Sequence, residues 1–213
     1  MNDGFMKGFC FLMASLVVLA ACAKKDSPQG VEPHIPYQPT YEIGDVFEND
    51  TLKGVVFYTY GAYNGLMVSL EDTVLPWCVH SYTLIETGAT NPYEGWNNTN
   101  IVMANYDLDY FPAIQWTHMK NTWHFIYYSY RLINHRQWYL PSTTEMRYLL
   151  MNQDAVNATL DSLGYPTLEG KTYWSSTETG TRGAAAVRLQ DGEIVISDSV
   201  KDNEFFVRAI RAY

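Results

Sequence analysis

The chain has 213 residues, 14 Lys and Arg against 23 Asp and Glu, a formal net charge of -9 and 47% hydrophobic residues. That balance argues against nucleic acid, anionic headgroups and sulfated polysaccharide as main partners, since each needs a basic footprint, and it favours neutral ligands. Length and apolar content suffice for one domain with its own packed core.

The N-terminus reads as an export signal. Lys7 supplies a positive charge, residues 9–19 an apolar run, and Leu19-Ala20-Ala21-Cys22 a small-residue processing site. The uncharged run over 8–23 is shorter than the roughly 20 residues a bilayer span needs, so residues 1–21 are expected to be cleaved. The tetrad resembles the bacterial lipobox, which implies that Cys22 becomes the first residue and carries acyl chains that anchor the protein to a membrane. Ala23 follows the cysteine where aspartate would suggest inner-membrane retention, so the outer membrane is expected. Cys10 leaves with the signal and Cys22 is acylated, so Cys78 has no partner for an intramolecular disulfide. Beside Trp77 and Val79 it is expected to be buried. Residues 22–40 carry Pro28, Pro33, Pro36 and Pro39 with few aliphatic side chains, and read as an extended lipidated tether. The folded domain is expected over 41–213.

Its first element is a hairpin, with strands over 54–60 and 66–70 and a turn marked by Asn64-Gly65. The polar stretch over 71–100, including Trp96-Asn97-Asn98-Thr99-Asn100, reads as loop. Pro112 sits where a helix starts, with Ala113, Trp116 and Met119 as a short apolar stripe. Ser142-Thr143-Thr144-Glu145 has the spacing of a capping box. Asp154 is expected to cap a further helix that buries Val156, Leu160 and Leu163 and stops at Gly164. Strands follow over 172–177, 185–189 and 194–197, the last two joined at Asp191-Gly192, and over 205–213. Helices in the middle and strands at both ends predict an α+β fold with joined termini. The 17 tyrosines and 6 tryptophans suit wet, ligand-facing surfaces, and equally suit half-buried packing in a loop-rich fold.

Several segments, in order, carry a resemblance: Tyr41-Glu42-Ile43-Gly44-Asp45, Gly54-Val55-Val56-Phe57, Trp138-Tyr139-Leu140-Pro141-Ser142, Tyr173-Trp174-Ser175-Ser176-Thr177-Glu178 and Val207-Arg208-Ala209-Ile210-Arg211-Ala212. Together they resemble a bacterial C-type-lectin-like domain, of unknown function, found in anchored lipoproteins and at the C-terminus of a collagen-like surface adhesin. The resemblance implies an α+β fold with two flanking helices on small twisted antiparallel sheets and with the N- and C-terminal strands paired. The sequence departs from that group between Lys120 and Gln137, where an aromatic-rich insertion replaces a tight turn.

Enzymatic chemistry finds little support in the residues. The same superfold carries formylglycine-generating enzymes, which need paired active-site cysteines that Cys78 alone does not supply. The calcium-chelating triplets of animal lectins are not intact, and Trp96-Asn97-Asn98 lies on the wrong side of the helices. The five histidines show no zinc spacing, and there is no G-x-S-x-G elbow, so neither metal nor cofactor is expected. Glu178 with Arg208 or Arg211 reads as a structural ion pair closing the terminal sheet. Four Asp-Ser/Thr-aliphatic triplets, beginning at Asp50, Asp72, Asp161 and Asp198, resemble bacterial O-glycosylation acceptors and would mark exposed loops. The expectation is a non-catalytic, lipid-anchored envelope or adhesion protein that recognises a neutral glycan or a protein through Trp123, Tyr127, Tyr130 and Trp96. A structural subunit of an envelope assembly is the alternative, and an enzyme of unknown type the third.

Overall fold

The structure, a computed structural model, describes residues 40–61, 64–79, 84–121 and 137–213. Cys22, the tether and the aromatic insertion with Trp123, Tyr127 and Tyr130 lie outside the described residues. Among those described, no helix is long and apolar enough to cross a membrane.

The chain enters through β1 (Val46–Asn49), β2 (Leu52–Tyr60) and β3 (Asn64–Pro76), an antiparallel meander. Asn64 and Gly65 do not form the turn. They pair with Tyr60 and Thr59 inside the ladder, and the chain reverses before them, where Gly61 takes φ +69°. Nor is 71–100 all loop, although the described residues between Pro76 and Gly95 hold no strand or α-helix. β3 runs on to Pro76, and α1 (Gly95–Asn105) contains the whole Trp96–Asn100 cluster. Its inward face is polar: Asn98 and Thr99 are buried with Val102, and Asn98 exchanges bonds with the Asn91 backbone and donates to Ser176 Oγ. A helix that buries amides rather than leucines shows no apolar stripe.

α2 (Pro112–Met119) starts at its proline and buries Ala113 and Ile114, while Met119 is exposed. α3 (Thr143–Met151) has both bonds of the capping box, Glu145 N to Ser142 Oγ and Ser142 N to Glu145 Oε2. α4 (Gln153–Ser162) begins after Asn152, so Asp154 lies in its first turn rather than at its cap, and Gly164 stops it at φ +76°. β4 (Thr172–Glu178), β5 (Gly183–Gln190), β6 (Glu193–Val200) and β7 (Glu204–Ala212) complete the chain. Asp191 at φ 51° and Gly192 at φ 81° make the primed turn that their sequence announces.

The described strands form one seven-stranded sheet in the order β1-β2-β3-β7-β4-β5-β6. Among the described residues the fold is thus α+β, with four α-helices and one sheet in place of two helices on small sheets. The terminal strands are not partners. β7 pairs with β3 and β4, and the ends meet instead through the rings of Tyr41, Phe47 and Tyr213, whose centroids lie 5.2–5.3 Å apart. Alternating residues feed two core clusters. Tyr173, Val187 and Ile210 pack with Met146, Leu149 and Leu160 of α3 and α4, while Trp174, Ala186 and Val207 pack with Val102, Phe111 and Ile114.

Between β7 and β4 there is a single parallel pair, Tyr173 with Phe206, after which the strands diverge. Residues 138–141 fill the gap: Tyr139 exchanges both backbone bonds with Ile210 at 2.9 and 3.0 Å, and Ser176 N donates to Pro141 O. Of the glycosylation-like triplets, Thr51 and Ser162 are exposed at a turn and a helix end, but Thr73 and Ser199 sit within strands.

Candidate functional site

Opposite Ala209 the β3 ladder skips from Val68 to Asp72, so Ser69, Leu70 and Glu71 form a bulge. The Ser69 hydroxyl replaces the lost backbone partner, donating to Glu71 O at 2.9 Å and accepting from Ala209 N at 3.2 Å. Ser175 plays the same part in β4, where three residues oppose Ala185. Bulges bend a strand and re-aim its side chains. The one at Ser69 opens a groove of about 330 Å³ that Lys53, Glu71, Lys120, Trp138 and Tyr165 help to line.

The groove is polar. Lys120 Nζ donates to Glu71 Oε2 at 2.8 Å and lies 4.2 Å from the Trp116 ring centre. Burial works to raise the Glu71 carboxyl, but the Lys120 hydrogen bond and charge outweigh it and hold the group below the usual glutamate range. Lys53 is paired with Glu48 at 3.0 Å. At one end Asn121 fixes both departure and return of the chain around residues 122–136: its Oδ1 accepts from Trp138 N at 2.7 Å and its Nδ2 donates to Trp138 O at 3.2 Å. Trp138 packs on Met67 and Ala209, with the Arg211 guanidinium 5.7 Å over its ring. Asn121 and Trp138 are thus tied together by side chain and backbone beside the groove.

Glu178, Arg208 and Arg211 are not one cluster. Glu178 is buried against Lys201, 2.6 Å away, and accepts from the Thr87 and Gly88 amides. Lys201 also donates to Ile85 O and Thr181 O, so the pair pins the loop before α1 to the β6–β7 end. Arg208 is buried elsewhere, donating to Leu70 O and Pro166 O beside Asp72, which is itself held by Lys171. Strand register explains the separation: β7 pairs with β4 only at Phe206, well away from Glu178. Arg211 stacks over Trp138. Trp96 is half-buried against the core that holds Met146 and Leu150, in the first turn of α1 and not in a loop. Sequence reading missed Lys201, Asn121 and the serine bulges. Lys201 and Asn121 bear no local pattern, while Ser69 and Ser175 inside β-rich runs are a usable signal.

Cys78 is buried, and burial pushes its thiol up to about 12. Among the described residues no three His, Cys, Asp or Glu side chains converge to hold a metal ion.

Residues 72–211 match the family described as the Lcl C-terminal domain. A solved fimbrial protein from Bacteroides ovatus ATCC 8483 is similar in fold, with a TM-score of 0.52 at 21% identity over 70% of this chain. The aligned part is 36% of that protein, so the chain spans about a third of its length. No curated protein matches the chain.

Proposed function

This chain belongs to the Lcl C-terminal domain family, and from that membership we propose that it is a non-catalytic binding module of the bacterial cell envelope, anchored to the outer membrane through acylated Cys22. Its partner in this reading is a neutral glycan or a glycoprotein, and its domain is of the C-type-lectin-like kind that the ordered motifs suggest. The observation that carries the reading is the Asn121–Trp138 clamp beside the bulge groove, because it makes a rigid foot for an aromatic segment next to hydrogen-bonding groups. In this reading Trp123, Tyr127 and Tyr130 supply contacts to the ligand, since aromatic rings bring large contact area with polar tips. The solved fimbrial protein, a surface structure by its description, adds support at the level of fold.

The test is binding of the full chain in detergent micelles to an array of neutral glycans and host glycoproteins, with calcium and with chelator, alongside the triple alanine variant at 123, 127 and 130. Specific signal lost in the variant supports the reading. Binding that survives it moves the site elsewhere, and a silent array with folded protein overturns the glycan partner.

A second reading, a subunit of an envelope assembly, draws on β6. This outermost strand pairs with β5 over eight consecutive residues without a bulge and leaves Ile196 and Val200 about half exposed. Unprotected edges of this kind accept a strand from another chain. Co-purification at fixed stoichiometry, abolished by Val195→Pro, supports that alternative.

A further inference from the structure

The β2–β3 ladder contains a second irregularity, away from the groove. Val56 pairs with Met67 and Tyr58 with Leu66, which leaves Phe57 as an extra residue. Val55 and Phe57 both enter the core beneath α3, and Tyr58 follows on that same side. Tyr60, opposite Asn64, lies two residues further along the face of Tyr58. Strict alternation from Val55 would have sent both tyrosines to the other face of the sheet. The bulge therefore turns them toward α3, where Tyr148 meets Tyr58.

Tyr58 and Tyr148 stack with centroids 4.7 Å apart and planes within 8°, and the Tyr60 ring lies 6.1 Å from Tyr58. The support is specific. Asn152, at the C-terminal end of α3, donates through Nδ2 to Phe57 O in the bulge and to Tyr148 O, both at 3.1 Å. One amide thus locks the bulge to the helix turn that carries Tyr148. Core packing accounts for Tyr58, which is half-buried, but not for Tyr60 and Tyr148, which are 49% and 36% exposed.

We propose that Tyr58, Tyr60 and Tyr148 form a stacking platform for a neutral hexose unit, separate from the groove. Tyr58 and Tyr148 cover one face of each other, so the exposed Tyr60 and Tyr148 rings supply the flat surface that matches the C–H face of a pyranose, and the phenol hydroxyls and the Asn152 carbonyl meet its hydroxyls. None of these four side chains is a cation, and the chain carries a net charge of -9, so sulfated or uronic sugars are disfavoured. A protein hot spot would sit in a desolvated apolar pocket. Here Asn64, opposite Tyr60 in the ladder, is exposed and polar, which fits a wet sugar-binding surface.

This inference rests on the neutral-glycan reading above. Its test is titration of the full chain in detergent micelles with maltohexaose, cellohexaose and mannohexaose, and with a sulfated heparin hexasaccharide as the charged probe. The variants are Tyr60→Ala with Tyr148→Ala, Tyr60→Ser alone in case the double variant unfolds, and Tyr60→Phe with Tyr148→Phe. A neutral hexasaccharide is expected to bind, to weaken about tenfold or more in the alanine variant, and to be largely retained by the phenylalanine variant. Unchanged affinity in folded Tyr60→Ser and alanine variants overturns the platform while leaving the glycan reading intact. Binding of heparin alone overturns the neutral ligand class, and binding to a host glycoprotein that survives its deglycosylation would assign the surface to a protein partner instead. No binding by the wild type sinks the glycan reading and the platform with it.

Discussion

Lys201 lies out of solvent with its ammonium on the Glu178 carboxylate, on Ile85 O and on Thr181 O, over the Trp77 ring at 5.1 Å. Its removal leaves a buried carboxylate with amide donors but no counter-charge, and such truncations cost about 3–5 kcal/mol. Urea denaturation of Lys201→Met is expected to show a loss of that order, with a smaller loss when Glu178→Gln accompanies it, because no charge then remains buried. Glu145 has a different sign. Burial pushes its carboxyl above the usual glutamate value despite bonds from Ser142 N, Gly95 N and the Tyr139 hydroxyl. A carboxyl raised in the folded state binds its proton more tightly there, so it favours folding at low pH and loses that contribution as pH rises from the unfolded value through the folded one. The difference in stability between wild type and Glu145→Gln is therefore expected to shift in favour of the variant across that window, measured by thermal unfolding against pH. Cys78 offers a simpler readout: a buried thiol raised to about 12 is expected to resist Ellman's reagent at pH 8 until the protein is unfolded.

The elements that were legible in the sequence are those with local chemical punctuation. Ser142 and Glu145 announce α3, Pro112 announces α2, and Asp191-Gly192 announces the β5–β6 turn. Replacing Gly192, at φ 81°, by alanine is expected to cost about 1 kcal/mol, because a Cβ is disfavoured in that conformation. What escaped were elements held by distant partners. α1 turns Asn98 and Thr99 inward because Asn91, Ser176 and Leu140 are there to bond them, and nothing within the helix reveals that. Its first residue is fixed by contact too: a Cβ on Gly95 would run into Ser142 N and Leu140 O. The groove was equally hidden, since Ser69, Lys120 and Trp138 meet only through the bulge and the Asn121 clamp. Asn121→Ala leaves the buried Trp138 amide without its acceptor, and a loss of about 1–3 kcal/mol is expected in thermal or urea unfolding.

At the scale of the molecule, the family match begins inside β3, yet the sheet does not end there. Val55, Val56, Phe57, Met67 and Val68 are fully buried, and β2 covers one edge of β3. A fragment limited to residues 72–211 would expose that edge and strip both faces of the sheet of these side chains. It is expected to be insoluble or to lack a cooperative thermal transition, whereas the family boundary taken at face value predicts a folded domain. Circular dichroism and calorimetry on the fragment separate the two. The α+β class and the strands at both chain ends were readable from pattern. The single sheet was not, because the pairing of β7 with both β3 and β4 is long-range and leaves no mark on local periodicity.

β7 is the last of the described strands in chain order and the fourth of seven in the sheet. Before it arrives, β1-β2-β3 and β4-β5-β6 are two separate meanders with no ladder between them. Closing the sheet joins the final residues to Leu66 and Met67, a non-local step of the kind that makes folding slow. A chain that has not yet docked β7 thus lacks its central seam, however complete its two meanders are. The topology works as a late lock: commitment to the native state waits for the one strand that joins the two halves of the sheet.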